Sequence, residues 1–424
     1  LAATVPFELV AIMSAARGGT ITRDEAIDRP WDAVVIGAGL AGTLAARGLA
    51  LAGRRVLLVE SKAFPRDKVC GGCLNDRAQQ LLLQHGLGDV LQRAAPIPLP
   101  HLQLTCLGHA STWPLERPLL SVRRSVLDEE LVEAAVAAGA DFLPSTVARV
   151  VNAAPGDARR AVLLRPRPTR AAGPGLPDAD DNLLAARAKL VVCADGLNHP
   201  SLVELPEFRS CIRADSRVGV QATLQDASDQ AASPRLAMVV GRNGYVGMAP
   251  VAPGELHLAA AVDPQRLSGG VRPAELVAAI LREAGTECPR GLREATWLGT
   301  GPLTRHSGAV AGHRLLLAGD AVGYVEPFTG EGMSWALASA SAVLPRALQA
   351  IDRWEDTIPA AWKRDLRSAV GRHQWLCRAL SRLLRRPLWA RSALRLCDSL
   401  PSIRQRLLRQ TSGSQRWSLQ GNLP

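Results

Sequence analysis

No run of about 18 uninterrupted apolar residues occurs anywhere in the 424 residues, so a membrane-spanning helix is not expected. The apolar start, Leu1 to Ile12, is broken by Pro6 and Glu8 and has no basic segment before it, so it reads as a poor signal peptide. Met13 is the expected start, with residues 1–12 upstream of it. The eight cysteines, at 70, 73, 106, 193, 211, 288, 377 and 397, show no spacing that would staple a small secreted fold. Cys70-Gly-Gly-Cys73 is a lone C-x-x-C with neither a second pair nor a nearby H-x3–5-H, so no metal site is expected. These features together predict a cytoplasmic protein. No nucleic-acid-binding motif is present, and nucleic acid is not an expected partner.

What is there reads as globular. Hydrophobic residues make up 47% and charged residues 21%, and the length favours two domains or one domain with a large insertion. The net charge of +11 is concentrated near the end of the chain. Between Arg353 and Arg409 fourteen Lys/Arg stand against four Asp/Glu, and the rest of the chain is almost neutral.

The most informative stretch runs from Trp31 to Glu60. Ala33 to Ile36 is a short β-branched run bounded by Pro30 and glycine, which predicts a buried strand. Gly37, Gly39 and Gly42 then form G-x-G-x-x-G where the strand should turn into a helix. The first glycine permits the turn, the second lets a pyrophosphate approach the backbone, and the third lets helix and strand pack closely. Gly53 ends the helix, Val56 to Val59 is the next strand, and Glu60 follows eighteen residues after Gly42, where a carboxylate can accept from ribose hydroxyls.

Further along, Phe64 to Arg77 is a loop with adjacent glycines, and Asn75 or Asp76 caps a helix from Arg77 to Gln84. Pro96 to Pro118 suggests strands of an inserted sheet. Leu127, Leu131, Ala134, Ala135 and Ala138 mark one face of a helix ending at Gly139, and a strand follows around Phe142 to Val151. Residues 153–182 read as a hairpin with a loose tip. Leu190 to Ala194 is a buried strand that delivers Asp195-Gly196 at its end. Strands over Val218–Leu224, Leu236–Val240, Tyr245–Pro250 and Leu256–Val262, with a helix over Pro273–Ala284, form a second β-rich region. Arg314 to Gly319 is the last buried strand and ends at Asp320. A loop from Val322 to Met333 then feeds a helix from Ser334 that Pro345 should stop or kink. No second G-x-G-x-x-G appears.

These residues resemble flavoproteins of the p-hydroxybenzoate hydroxylase type, and within them the geranylgeranyl-reductase-like branch. The likeness covers roughly residues 31–345. It rests on the glycine motif with Glu60, on Cys193-Ala-Asp195-Gly196, and on Gly319-Asp320 through Pro327-Phe-Thr-Gly330-Glu-Gly332. Lys68-x-Cys70-Gly71-Gly72 and Thr-Gly-Glu-Gly indicate the reductase-like branch. The fold implied is α/β: a Rossmann-type FAD-binding domain interleaved with a β-sheet substrate domain, plus a C-terminal helical segment. Residues 31–96, 121–207 and 301–345 would bind FAD, and residues 97–120 and 208–300 would bind substrate. Residues 346–424 would be the basic helical region, and residues 1–30 an N-terminal extension.

By the same resemblance, non-covalent FAD would be held by Gly37, Gly39, Gly42, Glu60, Arg124, Asp195, Gly196, Gly319, Asp320, Gly330, Gly332 and Met333. Glu60 would take the adenosine ribose, Asp195-Gly196 the pyrophosphate side, Asp320 the ribityl side and Arg124 the pyrophosphate or ribityl chain. Cys70, Pro327 and Gly330 would lie at the reacting face, and Tyr245 and Met248 in the substrate pocket. The branch's G-Y-x-W-x-F-P segment is Gly244-Tyr245-Val-Gly247-Met248-Ala249-Pro250 here, so both later aromatics are missing and a wider pocket is expected. The Asp usual before the loop proline is Glu326. No W-x-W-x-I-P segment occurs, and halogenation is not expected.

The implied activity is redox tailoring of an apolar isoprenoid- or polyketide-like molecule, most simply double-bond reduction. The alternative is hydroxylation of an aromatic or polyketide substrate through a flavin C4a-hydroperoxide. NAD(P)H or an external donor, including a partner reductase, would supply electrons. The tail, with Trp354, Trp362, Trp375 and Trp389 among its arginines, reads either as a helical lid on the FAD domain or as a peripheral contact with the inner face of a membrane. The lid is the preferred reading. A non-enzymatic basic binding protein is disfavoured.

Overall fold

A computed structural model describes residues 18–168, 185–225, 234–326, 328 and 330–412. Met13, the tip of the 153–182 hairpin, Pro327 and Thr329 lie outside the described residues.

A central sheet is built from buried apolar runs. Its strands lie in the order 311–312, 315–317, 185–193, 30–36, 56–59 and 141–143, and all neighbours are parallel except the first pair. Leu190 to Cys193 pair with Ala33 to Ile36 in register, and every one of these side chains is buried. A sheet covered on both faces selects such continuous apolar strands. The segment expected as one strand around Phe142–Val151 is two. Asp141–Leu143 extends the parallel run, whereas Thr146–Val150 pairs antiparallel with Arg160–Pro166, which joins the same sheet antiparallel to Ala185–Ala188. Ahead of the first strand, Thr22 caps a short helix with a reciprocal Glu25 contact, and Trp31 Nε1 donates to Ala26 O.

The second sheet orders its strands 298–302, 218–224, 255–262, 244–252, 235–241, 97–106, 109–121 and 73–74. Residues 97–121 and 218–302 thus share one sheet, joined by the parallel pairing of Arg235–Val240 with His101–Cys106. Its strands alternate sides. Val246, Met248 and Leu258 pack against Leu276, Val277 and Ile280 of the Pro273–Glu283 helix. Leu236, Met238, Tyr245 and Ala249 share a cluster on the other face.

Pro345 neither stops nor breaks its helix, which runs from Gly332 to Asp352. The missing N–H and ring clash cost about 3 kcal/mol. The turns around and after the proline bury Leu344, Ala347, Ala350 and Ile351, and the two larger side chains alone gain roughly 2 kcal/mol each. Tertiary burial outweighs local propensity.

The C-terminal helices cover more than the central sheet. Ile358–Leu366 packs beside the central sheet, with Trp362 fully buried and its Nε1 donating to Leu317 O at 3.1 Å. Pro387 does not end helical structure but occupies the first turn of a new helix, Pro387–Ser399, where a missing N–H costs nothing. That helix lies on the second sheet. Asp398 accepts from Trp113 Nε1 at 2.9 Å, from the Ser111 hydroxyl, and meets His109 Nε2 at 2.9 Å. No described helix is long and apolar enough to cross a membrane.

Candidate active site

The two sheets meet along a cleft of about 1120 Å³, including its open mouth. The glycine turn forms one end. Gly37 has φ +99°, and a Cβ there would stand 2.5 Å from Ala194 O, while a Cβ on Gly42 would stand 1.8 Å from Gly37 O. These two glycines allow close packing of backbone on backbone. Gly39 instead faces open space, and the nearest atom to its Cβ position is Arg66 Nη2 at 3.6 Å. No side chain caps the Leu40–Leu51 helix that starts there, so its dipole end points into the cleft.

Arg66 was not picked out from the sequence. Its side chain is 8% exposed, lies 3.4 Å from Glu60 and 3.2 Å from Asp128, and covers the Phe64 ring. Its Nε is buried without a hydrogen-bond partner. A buried guanidinium beside an open glycine turn, with its Nε ion-paired to Glu60 but making no hydrogen bond, suits a diphosphate, so the residues present fit FAD.

Glu60 is buried. One carboxylate oxygen accepts from Ala38 N at 3.0 Å and the other from Lys62 N at 3.0 Å and the Ser61 hydroxyl at 3.1 Å. The acid is therefore aimed by backbone donors before any ribose arrives. Asp195 does not present its carboxylate to the cleft. It accepts from Ser201 N at 2.9 Å and from the Cys193 thiol at 3.0 Å, holding the turn that follows, while the adjacent Gly196 lines the cleft. Burial raises the Asp195 pKa, against the pull of those donors.

Arg124 lines the cleft and forms a forked pair with Asp128, at 2.9–3.1 Å. Cys70 lines the same cleft beside it. Burial works against its charge, but Asp128 and Cys70 outweigh it and raise the pKa. Across the cleft Lys68 Nζ meets Asp320 Oδ2 at 3.2 Å. Gly319, Gly330, Gly332 and Met333 line the same wall, at the uncapped start of the Gly332–Asp352 helix. The steric demand at Gly332 comes from Tyr324, whose hydroxyl would lie 2.8 Å from an added Cβ.

The Cys70-Gly71-Gly72 segment forms the facing wall. Its backbone is held from a distance: Cys70 N donates to Gln221 Oε1 at 2.7 Å, and His257 Nε2 donates to Cys70 O at 2.7 Å. Thr223 sits 3.1 Å from His257 Nδ1, the nitrogen left to accept. Burial lowers the His257 pKa, so the ring is neutral at physiological pH. Gly72 N approaches Cys70 Sγ at 3.5 Å. Cys73 is fully buried and its pKa is pushed up to about 12 by burial, so Cys70 is the accessible thiol of the pair.

Beyond the glycines the cleft is apolar, lined by Val220, Leu236, Met238, Ala260, Leu303 and Phe328. Tyr245 lines it too, edge-on to Phe328 at 5.1 Å. Met248 does not. It is three residues from Tyr245 on a strand of period two, so it faces the helix-covered core on the opposite side. The residue sequence reading passed over is Met238, paired with Gly247 across the strands; its sulfur lies 3.0 Å from where a Cβ on Gly247 would be. Strand alternation carried that signal, because Gly247, not Met248, shares the face of Tyr245.

A parallel sheet with a glycine turn, an uncapped helix, an aimed acid and a second sheet closing the cleft defines an FAD-binding oxidoreductase. A family model described as FAD binding domain matches residues 31–348, and the chain belongs to that family. It is 30% identical over 336 residues to a menaquinone reductase of Mycobacterium tuberculosis, covering 73% of this chain and 75% of that protein. It is 27% identical over 321 residues to a digeranylgeranylglycerophospholipid reductase of Methanoculleus marisnigri, covering 72% and 74%. A solved flavoprotein/dehydrogenase from Cytophaga hutchinsonii superposes with a TM-score of 0.73 at 17% identity, covering 91% of this chain and 93% of that one.

Proposed function

We propose that this FAD-dependent oxidoreductase reduces a carbon–carbon double bond of an apolar, isoprenoid- or polyketide-like molecule, with electrons from NAD(P)H or a partner reductase. One observation carries the reading: a single cleft is lined both by apolar side chains and by Gly39, Gly319, Gly330 and Gly332, with the Cys70-Gly71-Gly72 segment among its walls. The two reductase relatives support it. Bound FAD supplies the hydride chemistry.

The chain's own residues do the rest. Gln221 and His257 fix the Cys70 backbone and Gly72 N donates to its sulfur, which sets Cys70 Sγ against the chamber as the group from which the proton would be delivered. Hydride to one alkene carbon and a proton to the other balance the reduction. The apolar walls exclude water and leave few polar groups to bind a hydrophilic substrate. The test is anaerobic turnover with NADPH and either menaquinone or a geranylgeranyl lipid. A product heavier by two hydrogens, for menaquinone after any quinol has been reoxidised to quinone, supports the proposal. Strict dependence on oxygen, with one oxygen atom added, would mean hydroxylation instead.

A further inference from the structure

Half of the exposed large hydrophobic side chains among the described residues, six of twelve, lie between Trp375 and Ile403. Trp375 is 67% exposed, Leu388 70%, Trp389 64% and Leu396 53%. They are not scattered around their helices. On Arg372–Leu384 the exposed positions 375, 378, 379 and 382 follow helical spacing, opposite buried Cys377 and Leu384. On Pro387–Ser399 the outer positions 388, 392, 395, 396 and 399 oppose buried Ala390, Leu394 and Cys397. The same outer faces carry Arg378, Arg382, Arg386, Arg395 and Arg406, all exposed. The one acid in residues 366–412 is Asp398, whose carboxylate is engaged by His109, Ser111 and Trp113.

The inner faces of these helices join the apolar cluster behind the chamber wall. Leu384 and Ala390 belong to the apolar cluster that holds Leu236, Met238, Tyr245 and Phe328. These helices therefore lie between that wall and an outer surface of Trp, Leu and Arg. Such a surface is costly in water but suits an anionic bilayer, where arginines meet phosphates and Trp and Leu enter the headgroup boundary.

We propose that the outer faces of the Arg372–Leu384, Pro387–Ser399 and Pro401–Ser412 helices dock this protein on an anionic lipid bilayer, placing the chamber against the phase that dissolves its substrate. The last clause rests on the apolar-substrate reading above; the docking surface stands on the helices alone.

Flotation of the FAD-loaded full chain with vesicles separates the two. Phosphatidylglycerol-containing vesicles are expected to carry the protein up and pure phosphatidylcholine vesicles far less, with binding falling as salt rises. Arg378→Gln, Arg382→Gln and Arg395→Gln should each weaken partitioning about fivefold. The paired change Leu388→Ser with Trp389→Ser should weaken it further while retaining bound FAD. Turnover of a short, detergent-dispersed substrate should be unchanged in these variants, so loss of docking and failure of the reductase reading give different results. Equal binding to neutral and anionic vesicles, no binding to either, or anionic binding insensitive to all these substitutions would overturn the proposal. So would capture by an acidic protein that leaves no affinity for vesicles.

Discussion

Arg124 is paired with buried Asp128, and a charge-removal series separates that pairing from the cofactor contact proposed for it. Its guanidinium forks onto Asp128, which is 0% exposed and has Arg66 at 3.2 Å as its other cation. Arg124→Met removes one of two cations from a buried carboxylate. Breaking such a pair costs 3–5 kcal/mol, and because Arg66 remains, a loss of about 3 kcal/mol is expected. Asp128→Leu should cost a similar amount, since it leaves two buried cations with only Glu60 near them. The double variant Arg124→Met with Asp128→Leu replaces the pair by apolar bulk and should be more stable than Asp128→Leu alone, the remaining loss reflecting Arg66, which keeps only Glu60 as a partner. FAD affinity should not recover. One charge-assisted hydrogen bond to the cofactor is worth about 1.5–3 kcal/mol, or roughly 10- to 100-fold in Kd. Urea denaturation of the apoprotein and FAD titration by fluorescence measure the two quantities. A double variant that is stable and also binds FAD like wild type would refute the cofactor role.

Two other expectations follow from the site. His257 has a folded pKa below its usual 6.5, so as pH falls through 6.5 the unfolded chain takes up a proton that the folded protein does not, and stability is lost on the acid side. That single group gives a slope of at most about 1.4 kcal/mol per pH unit, and His257→Gln should flatten the pH dependence of Tm between pH 7 and 5; an unchanged profile would exclude His257 as its source. Gly247→Trp should keep FAD bound but displace Met238 and narrow the chamber, raising KM for a branched or long substrate about tenfold or more, as a loss of 1.4 kcal/mol in binding implies. Unchanged kinetics would place the substrate elsewhere.

The parts of the fold and site legible in the sequence are those whose physics lies within a few consecutive residues. Gly37, Gly39 and Gly42 carry their geometry in the backbone itself, and buried strands announce themselves as continuous apolar runs. Contacts made over long separations were silent. Gln221 and His257 reach Cys70 across 151 and 187 residues, and nothing near either one marks it as a partner. Pro345 misled because local propensity does not register burial of the turns beyond it. Met248 misled for a narrower reason: in a strand, neighbours in sequence point to opposite faces. Trp362 looked like its exposed companions Trp375 and Trp389, and only packing against the central sheet separates them.

The central claim is that the apolar chamber presents an alkene to the flavin wall for reduction. Single turnover tests it most directly: enzyme whose bound FAD has been reduced beforehand, kept free of oxygen, is mixed with menaquinone or a geranylgeranyl lipid, and flavin absorbance and product mass are followed together. The account expects flavin reoxidation only when substrate is present, with one saturated double bond formed per flavin reoxidised. Reduced flavin that stays reduced with every unsaturated apolar substrate, yet reoxidises and hydroxylates on admitting oxygen, would contradict it.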